Sequence, residues 1–412
     1  MSSSACKSSG GGAGGDAPGG SGGENVGGAG KAGNGRGVAG NSGGGAGAGG
    51  GNTAGSGGAT GGGTAGSGTA GMGGTPTPIA VDHYVYASGG SEIESFKFNA
   101  DTGALTSIEK IASGNSTTYL AYHPKGTHVY ATNEAGSGVV KAFSIDKSNG
   151  KLKAIGMQPT GGDGAVHVAV HPSGKWLFVS NYNGANVRVF PLNQTTGAIE
   201  LPSDTKPTAG ESHQIMMDAA GKFVFVPCRS DNKVYQFVFD DATGKLTANA
   251  VPTVSSEDPR HIVFAPNGKF AYLVNEDPAN ITSYVYDAAK GQLLMPEAKT
   301  LAAGESWGSH IVTTPDSKFV YAGGRKTGTI FGYSIDQTTG RVTEVTKTAM
   351  SIQVPRDFAI SPTGQHLVIA NQSKANLTVL KIAADGKLSN VGQPTATVND
   401  VAGVVVVPVP KS

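Results

Sequence analysis

The sequence predicts an all-β fold, a seven-bladed β-propeller with four antiparallel strands in each blade. Three observations predict it: strands resembling VYATN recur every 44 to 49 residues, turns containing Gly or Pro separate them, and no helical period appears. The copies are VYASGG at Val85, VYATNE at Val129, LFVSNY at Leu177, VFVPCR at Val224, AYLVNE at Ala271, VYAGGR at Val320 and LVIANQ at Leu367. Radial repetition of such units is typical of a propeller rather than of a sandwich or a solenoid.

Each copy contains the same succession of strands and turns. An apolar run is followed by a turn such as HPKGTH or APNGKF, and then by the VYATN-like strand. A third strand, as in GVVKAFSI or TIFGYSI, alternates apolar and polar side chains as a half-buried strand should. A turn such as DTGAL or TTGRV, in which glycine permits a positive φ, leads to a short fourth strand.

The two ends of the repeat region predict how the ring closes. The first copy begins directly at its VYAS strand, at Val85, and lacks a preceding inner strand. The last copy is followed by an additional apolar run, Ala402–Val407. We expect this run to supply the missing strand of the first blade, so that no sheet edge stays open at the seam.

Composition divides the chain into two domains. About half of the 65 glycines precede Pro78, in a stretch with almost no apolar residue larger than Ala. Folding such a stretch costs backbone entropy without burying surface. We therefore expect residues 1–78 to form a disordered Gly/Ser/Ala-rich tether and residues 79–412 to form the propeller.

Cys6 stands directly before the glycine-rich stretch and is a candidate lipid anchor of a bacterial lipoprotein. Residues 1–5 nevertheless contain neither the basic nor the apolar region of a signal peptide. A tethered lipoprotein would lie in the cell envelope or be secreted, whereas a role in sugar-phosphate metabolism would place the protein in the cytoplasm.

Charge and cysteine content argue against several classes of protein. With a net charge of +1, the chain has no electrostatic basis for binding nucleic acid or an anionic membrane. The two cysteines, Cys6 and Cys228, are too far apart to suggest a disulfide framework. No stretch has the roughly 18 consecutive apolar residues of a membrane helix. We expect a monomer without a cofactor, and without a metal ion because convergent carboxylates are missing.

Aligning the copies on their turns places polar side chains at equal positions of the innermost strands, which line the channel of a propeller. The inner set comprises Thr118, Val166, His213, Arg260, Ser309 and Arg356. The adjacent set, one residue later, comprises Tyr119, His167, Gln214, His261, His310 and Asp357. The rim set, after the VYATN-like strands, comprises Glu134, Tyr182, Arg229, Glu276, Arg325 and Gln372. Because the first two strands of a blade are antiparallel, these sets should meet at one end of the channel.

Some members of these sets are candidate functional residues because structural repetition does not explain them. They are His213, Arg260, Glu276, Arg325 and Arg356, and their pocket should be cationic and suit a sugar phosphate or a carboxylate. For His167, His261 and His310, which share one register, a packing role between blades competes with a functional one.

Four segments resemble the propeller family that contains bacterial 6-phosphogluconolactonase and carboxymuconate lactonizing enzyme (cycloisomerase 2). They are SNYNGANVRVFPL at Ser180–Leu192, DPRHIVFAPNGKFAYLVNE at Asp258–Glu276, SHIVTTPDSKFVYAGGR at Ser309–Arg325 and PRDFAISPTGQHLVIANQ at Pro355–Gln372. The resemblance extends from about Tyr84 to Val407 and implies a lactonase with seven blades.

The resemblance also implies roles for individual residues. His213 matches the second His of the family's P-H-x-H stretch, and Arg260 and Glu276 match its PRH and VNE motifs. A further family arginine matches Arg325 or Arg356. The implied catalytic residues are His213, Arg260, Glu276 and Arg325, and the expected substrate-binding residues are Arg356, His167, His261, His310, Tyr182 and Gln372. The chain departs from the family at Glu211, which replaces the first His, and at Cys228-Arg229, which replaces an acidic residue.

The favoured interpretation is a lactone hydrolase that acts on a small anionic lactone. His213 would activate water, arginines would bind the anion, and Glu276 would orient an arginine or polarise His213. A muconate-type cycloisomerase would use the same residues, with His213 moving a proton. A surface-displayed, non-catalytic binding propeller is a third interpretation, because fold alone does not determine function. An exposed apolar patch would favour the binding propeller, whereas His and Arg side chains that converge in a pocket would favour an enzyme.

Overall fold

The structure, a computed structural model, describes residues 80–349 and 354–411. These residues form seven antiparallel sheets of four main strands, which confirms the predicted propeller. The predicted tether at residues 1–78 and the candidate anchor residue Cys6 lie outside the described residues. Within the described ranges, no helix is long and apolar enough to cross a membrane.

The strands follow one another blade by blade along the chain. Blade 1 contains β1 (Val81–Gly89), β2 (Glu92–Phe98) and β3 (Leu105–Ala112). Blade 2 contains β4 (Thr117–Tyr122), β5 (His128–Asn133), β6 (Val139–Ile145) and β7 (Leu152–Pro159). Blade 3 contains β8 (Ala165–Val170), β9 (Trp176–Asn181), β10 (Asn186–Pro191) and β11 (Asp204–Pro207). Blade 4 contains β12 (Met216–Met217), β13 (Phe223–Cys228), β14 (Lys233–Asp240) and β15 (Lys245–Ser255).

The second half of the ring continues this order. Blade 5 contains β16 (Pro259–Phe264), β17 (Phe270–Asn275), β18 (Asn280–Asp287) and β19 (Gln292–Thr300). Blade 6 contains β20 (Gly308–Thr313), β21 (Phe319–Gly324), β22 (Thr329–Ile335) and β23 (Val342–Ala349). Blade 7 contains β24 (Pro355–Ile360), β25 (His366–Asn371), the 3₁₀ turn Gln372–Lys374, β26 (Asn376–Ile382), β27 (Leu388–Asn390) and β28 (Thr395–Ala396). The last strand is β29 (Val401–Pro410).

Strand β29 closes the ring. It is the inner strand of blade 1 and pairs antiparallel with β1, so that Val406 lies opposite Val85 and Val407 opposite Tyr84. This pairing confirms the prediction that the valine run supplies the missing strand. The N-terminal and C-terminal parts of the propeller are thereby held in one sheet, which covers the edge that β1 would otherwise expose.

The apolar core of the described residues lies between the blades rather than at the centre of the ring. It consists of seven clusters, and each of them joins two successive blades. In blade 1, for example, Val85 and Ala87 pack toward blade 7 while Tyr84 and Tyr86 pack toward blade 2. Both faces of each sheet are buried, which explains why the VYATN-like strands are apolar at almost every position.

Hydrogen bonds between blades repeat around the ring. The hydroxyl of Tyr86 donates to the carbonyl of Gly150 at 2.9 Å, and three further tyrosines make the equivalent bond, Tyr130 to Gly197, Tyr272 to Gly340 and Tyr321 to Gly386. Gly150 has a φ of +76°, and a Cβ there would clash with the ring of Tyr84. The hairpin turn therefore needs glycine both for its backbone angle and for its contact with the preceding blade.

Removing β29 should abolish the cooperative fold. Five of its valines are almost completely buried, namely Val401, Val404, Val406, Val407 and Val409. Each buried valine contributes about 1.5–3 kcal/mol, so their sum is comparable to the whole stability of a domain. A chain that ends at Asp400 is expected to show no cooperative thermal unfolding by circular dichroism. A chain that ends at Pro410 should unfold like the full protein, and a cooperative transition in the shorter chain would contradict closure by β29.

Candidate active site

The inner strands bring two consecutive side chains to the channel because each full-length inner strand carries a β-bulge. The pairing of β16 with β17 shifts between Pro259 and His261, so Arg260 is the additional residue, and β4, β8, β20 and β24 shift at the same place. In a regular strand, successive side chains point to opposite faces, and a bulge re-aims one of them. Arg260 and His261 consequently line the same cleft.

Blade 4 departs from this pattern. Its inner strand β12 has only two residues, and the preceding segment is held by an isolated bridge between Ser212 and Cys228. The backbone N–H of His213 donates to the carbonyl of Pro227 at 2.9 Å. His213 is aligned with Arg260 in sequence, but its ring contacts the ring of His261, at a centroid distance of 5.0 Å. The irregular inner strand thus directs His213 toward the adjacent set of the next blade.

The rim set is anchored by a second repeated feature. The residue before each full-length inner strand has a positive φ, for example 45° at Asp258 and 60° at Trp307. The carbonyl of this residue accepts the backbone N–H of the rim residue, at 2.9 Å from Glu276 to Asp258 and at 3.1 Å from Arg325 to Trp307. These backbone hydrogen bonds hold the rim set beside the start of the inner strands. They explain why the sets meet at one end of the channel, as the sequence predicts.

A narrow cleft lies at this end of the ring. Its walls come from blades 1, 2, 3, 4, 5 and 7. The lining residues are Thr118, Tyr119, Val166, His213, Arg260, His261, Arg356, Asp357 and Ala402. The sequence-predicted residues His213, Arg260, His261 and Arg356 therefore do share one concave site.

Three arginines converge on Glu276 beside this cleft. Its Oε2 lies 3.2 Å from Nε of Arg260 and 3.4 Å from Nη1 of Arg229, and its Oε1 lies 2.5 Å from Nη2 of Arg325. Arg229 also binds Asp258 through two hydrogen bonds of 2.7 and 3.2 Å. Glu276 is therefore the shared counter-ion of a cluster that three different blades supply.

Burial and charge act in opposite directions on the pKa values of this cluster. Burial would raise the pKa of Glu276, but Arg260, Arg325 and Arg229 together hold it below its usual range. Burial and the charge of Arg325 lower the pKa of Arg260 to about 9, against the attraction of Glu276. Burial likewise lowers the pKa of Arg325. The two buried guanidiniums therefore lack sufficient negative charge around them, which an anionic ligand would supply.

With its side chains ionised, this cluster has three guanidiniums and the two carboxylates of Glu276 and Asp258, an excess of one positive charge. Arg356 adds a further cation on the wall of the cleft, and its side chain is 21% exposed. Its Nη2 lies 3.8 Å from Oε2 of Glu134, which is 34% exposed. Of the two arginines that line the cleft, Arg260 and Arg356, the more exposed Arg356 is thus the better placed to meet an anion that enters it.

The histidines form a continuous chain across the channel. Nδ1 of His213 lies 3.2 Å from Nε2 of His261, and Nδ1 of His261 lies 2.6 Å from Nδ1 of His310. Nε2 of His310 in turn lies 3.5 Å from Oδ1 of Asp357. The second carboxyl oxygen of Asp357 accepts the backbone N–H of Val404 at 2.8 Å. Four blades and the closing strand β29 therefore meet in one buried polar chain.

These histidines are held in their neutral form. Burial, followed by the charge of Arg260, places the pKa of His213 and that of His261 well below the ordinary value. The same two causes lower the pKa of His310 to about 3. Burial raises the pKa of the Asp357 carboxyl to about 7, and hydrogen bonds from backbone N–H groups and the charge of Arg260 oppose that rise. Of the four groups in the histidine chain, Asp357 is therefore the one that gains or loses a proton near neutral pH.

The remaining predicted binding residues lie around the chain in different ways. His167 stacks on Tyr119 at a centroid distance of 3.9 Å, with its ring edge toward His261 at 5.6 Å. Tyr182 accepts a hydrogen bond of 2.8 Å from Arg229 and packs edge-on against His213. Gln372 begins the 3₁₀ turn of blade 7, outside the residues that line the cleft. The substrate contacts predicted for these residues stay predictions.

Sequence reasoning placed Asp357 and Arg229 near the site but gave them no function, and it did not single out Asp258. Asp357 ends the histidine chain, and Arg229 with Asp258 extends the cluster around Glu276. A signal for Asp357 was present, since its separation from His310 equals one repeat, as does that of His310 from His261. Equal positions in successive blades are expected to touch in a propeller. Cys228 is buried, which raises the pKa of its thiol to about 12 and makes it unreactive.

Among the residues that the structure describes, no group of three or more His, Cys, Asp or Glu side chains is arranged to hold a metal ion. Large exposed apolar side chains occur there at seven positions, of which only Leu294 and Met295 are adjacent in sequence: Val81, Met157, Leu201, Val251, Leu294, Met295 and Trp307. Scattered positions of this kind are normal on a protein surface. The polar cleft is therefore the candidate active site.

Comparison with known proteins assigns the family. Residues 74–406 match the family model described as lactonase, seven-bladed β-propeller. The chain belongs to this family. As a member of the lactonase family it is a lactone hydrolase, and the convergence of His213, Arg260 and Arg356 in one cleft is consistent with an enzyme.

Individual relatives of this lactonase are similar over most of their length. A 6-phosphogluconolactonase of Formosa agariphila is 27% identical over 74% of this chain and 92% of its own. A 6-phosphogluconolactonase of Bacillus subtilis is 28% identical over 72% of this chain and 89% of its own. The solved Pseudomonas aeruginosa periplasmic gluconolactonase is 22% identical, with a TM-score of 0.73 over 80% of this chain and all of its own, which supports the fold.

Replacing the shared counter-ion should destabilise the lactonase. Glu276→Gln would leave three guanidiniums near one another without their common carboxylate, at an expected cost of about 3–5 kcal/mol in the free energy of unfolding. Glu134→Gln, which removes the partly exposed partner of Arg356, should cost at most about 1 kcal/mol. The free energy of unfolding of both variants is measured in urea, because urea does not screen charges. Equal stability of the two variants would show that the cluster does not depend on Glu276.

Proposed function

We propose that this lactonase hydrolyses an anionic sugar lactone of the 6-phosphogluconolactone type. The observation that carries the proposal is the cleft itself, where a neutral buried imidazole, His213, lies beside Arg260 and Arg356. The Arg229, Arg260, Arg325 and Glu276 cluster behind this wall carries an excess of positive charge. A neutral base next to fixed cations suits the attack of water on the carbonyl of a negatively charged ester.

His213 would act as the general base. Its Nδ1 faces His261, which leaves Nε2 to contact a water molecule in the cleft. Nε2 takes a proton from that water while the new C–O bond forms at the lactone carbonyl. When the tetrahedral intermediate collapses, the bond from the carbonyl carbon to the ring oxygen breaks, and Nε2 of His213 returns the proton to that oxygen. One water is consumed and one hydroxy acid is formed.

Arg260 would stabilise the oxyanion of this intermediate. Its Nε faces Glu276 and its Nη1 donates to the carbonyl of Ser309, so the guanidinium is held in a fixed position. The group Nη2 takes part in neither contact. A fixed donor in a buried site stabilises developing charge without reorganisation. Arg325 and Glu276 would hold Arg260 in place rather than contact the substrate carbonyl.

Arg356 would bind the phosphate of the substrate. Its separation of 3.8 Å from Glu134 is long for an ion pair, and both side chains reach solvent. A phosphate could therefore replace this weak partner at little cost and bind the guanidinium through two oxygens. The curated relatives named above are 6-phosphogluconolactonases, which supports a phosphorylated substrate for this chain.

The role of His213 predicts a specific loss of rate. His213→Gln should lower kcat for 6-phosphoglucono-δ-lactone by about 10²–10⁴-fold, because the variant has no base, and should leave KM almost unchanged. Rates are measured above the spontaneous hydrolysis, with and without EDTA, which we expect to have no effect.

A matched control is His128→Gln, because His128 bonds to the carbonyl of Thr196 on the outer part of the ring. This control should keep the full rate. Full activity of His213→Gln would exclude His213 as the base, and a loss of activity with EDTA would require a metal ion.

The role of Arg356 predicts a change in substrate preference. Arg356→Gln should lower kcat/KM for the phosphorylated lactone by about 10–100-fold, the value of a charged hydrogen bond to an anion. The rate with unphosphorylated glucono-δ-lactone should change little. Arg341→Gln is the control, since Arg341 pairs with Glu297 and its side chain is 70% exposed. Equal losses on both lactones would place Arg356 at the reacting carbonyl instead of at the phosphate.

A further inference from the structure

The histidine chain behind His213 has a direction that depends on one proton. A neutral imidazole donates through one nitrogen and accepts through the other. His213, His261 and His310 are joined nitrogen to nitrogen, so the tautomer of each ring determines that of the next. The chain ends at the carboxyl group of Asp357. The protonation of that group therefore decides which way all three rings donate.

When Asp357 is ionised, the chain donates toward it. Nε2 of His310 then carries a proton and faces Oδ1 of Asp357, so Nδ1 of His310 accepts from Nδ1 of His261. Nε2 of His261 accepts from Nδ1 of His213. Nε2 of His213 is left without a proton, which is the tautomer that a general base requires.

When Asp357 is protonated, each bond of the chain reverses. The carboxyl O–H donates to Nε2 of His310, and Nδ1 of His310 donates to Nδ1 of His261. Nε2 of His261 then donates to Nδ1 of His213, so the proton of His213 moves to Nε2. In this tautomer His213 is a hydrogen-bond donor and has no free electron pair for the water.

We propose that Asp357 is a positioning residue for the reaction, and that its ionisation fixes the chain His213–His261–His310 in the tautomers that make His213 a base. This inference rests on the proposed role of His213. It assigns functions to His261 and His310 that differ from direct substrate contact.

The contacts of Asp357 favour this role. Its Oδ2 accepts the backbone N–H of Val404 at 2.8 Å, which fixes the orientation of the carboxyl group. Its Oδ1 is buried, has no hydrogen-bond partner among the described residues, and lies 3.5 Å from Nε2 of His310. One oxygen is thus held by the backbone of β29, and the other is directed at the end of the chain.

The charged and titratable groups around Asp357 come from three neighbouring strands and its own. Tyr119 of β4 and His310 of β20 are neutral at pH 7, while Arg260 of β16 and Arg356 of β24 are cationic. Burial raises the pKa of Asp357 to about 7 in spite of these cations. The carboxyl therefore titrates in the pH range in which the enzyme would work.

The histidine chain also explains how His213 can act as a base although its pKa is low. The pKa of His213 lies well below its ordinary value because of burial and Arg260, so His213 alone is a weak acceptor. If His213 gains a proton at Nε2, its Nδ1 proton can pass to His261, the Nδ1 proton of His261 to His310, and the Nε2 proton of His310 to Asp357. The three rings end neutral, and the proton rests on the carboxyl group, which has the highest affinity for it.

Activity should therefore rise with pH as Asp357 loses its proton, with an apparent midpoint near 7. Asp357→Asn should remove this rise. The amide oxygen would take the N–H of Val404, and the amide NH₂ would donate to Nε2 of His310, which fixes the reversed tautomers at every pH. We expect kcat to fall by about 10²-fold or more, with little change in KM.

The experiment has two parts and one matched control. Histidine-specific ¹⁵N NMR of the full chain, without substrate, reads which nitrogen of His213 carries the proton between pH 5.5 and 9. The pH profile of kcat is then measured for the native protein, Asp357→Asn and Asp218→Asn. Asp218 is also buried and bonded to the backbone, but it contacts Tyr286 and lies outside the cleft lining.

The expected result is that Nε2 of native His213 changes from protonated to bare as pH rises, that it stays protonated in Asp357→Asn, and that Asp218→Asn keeps the native pH profile. A single His213 tautomer at all pH values in the native protein would overturn the proposal, as would an unchanged pH rise of kcat in Asp357→Asn. The NMR result separates this from the proposed function. Suppose that the His213 tautomer changes with pH but the His213→Gln variant retains full activity. That result would confirm that Asp357 controls the tautomers of the histidine chain, and it would refute His213 as the base.

Discussion

The closure of the ring by β29 is the constraint on which the rest of the structure depends. The seven apolar clusters lie between blades, and the cluster that joins blades 7 and 1 contains Val404 and Val406 of β29. Without that strand, blades 7 and 1 would lose their shared packing, and the inner strands would not be held around one axis. The same strand supplies Ala402 to the cleft and the N–H of Val404 to Asp357. Closure and site geometry therefore have one cause.

The centre of the ring combines two polar systems that share Arg260. On one side, Arg260 joins Arg229 and Arg325 around Glu276. On the other, its charge adds to the effect of burial and lowers the pKa values of the histidines in the chain. A buried cation thus keeps the imidazoles neutral, as general-base catalysis requires. Propeller geometry makes this arrangement possible because each blade contributes only one or two side chains to the axis.

The position of most site residues followed from the repeat. Counting from the turns placed Arg260, His261, His310 and Arg356 on inner strands, and the structure brings all four to one end of the channel. Two consecutive residues of an inner strand can both reach the channel only if the strand has a bulge. The alternation of apolar and polar residues in the sequence does not predict that bulge. His213 was predicted from its resemblance and register, yet its contact with His261 depends on the interrupted inner strand of blade 4. Such an interruption of a strand leaves no periodic pattern in the sequence from which it could be predicted.

The sequence by itself determined the number of blades, the order of their strands and the strand that closes the ring. These properties follow from apolar periodicity, from turn residues and from an additional valine run, all of which are local. Only the tertiary structure decided that Glu276 holds three arginines and that three histidines lead from His213 to Asp357. Except for the pair of Arg260 and Glu276 within blade 5, those contacts join residues about one repeat apart, in successive blades. Their existence depends on bulges and side-chain directions at the axis, where a displacement of about 1 Å separates a hydrogen bond from no bond.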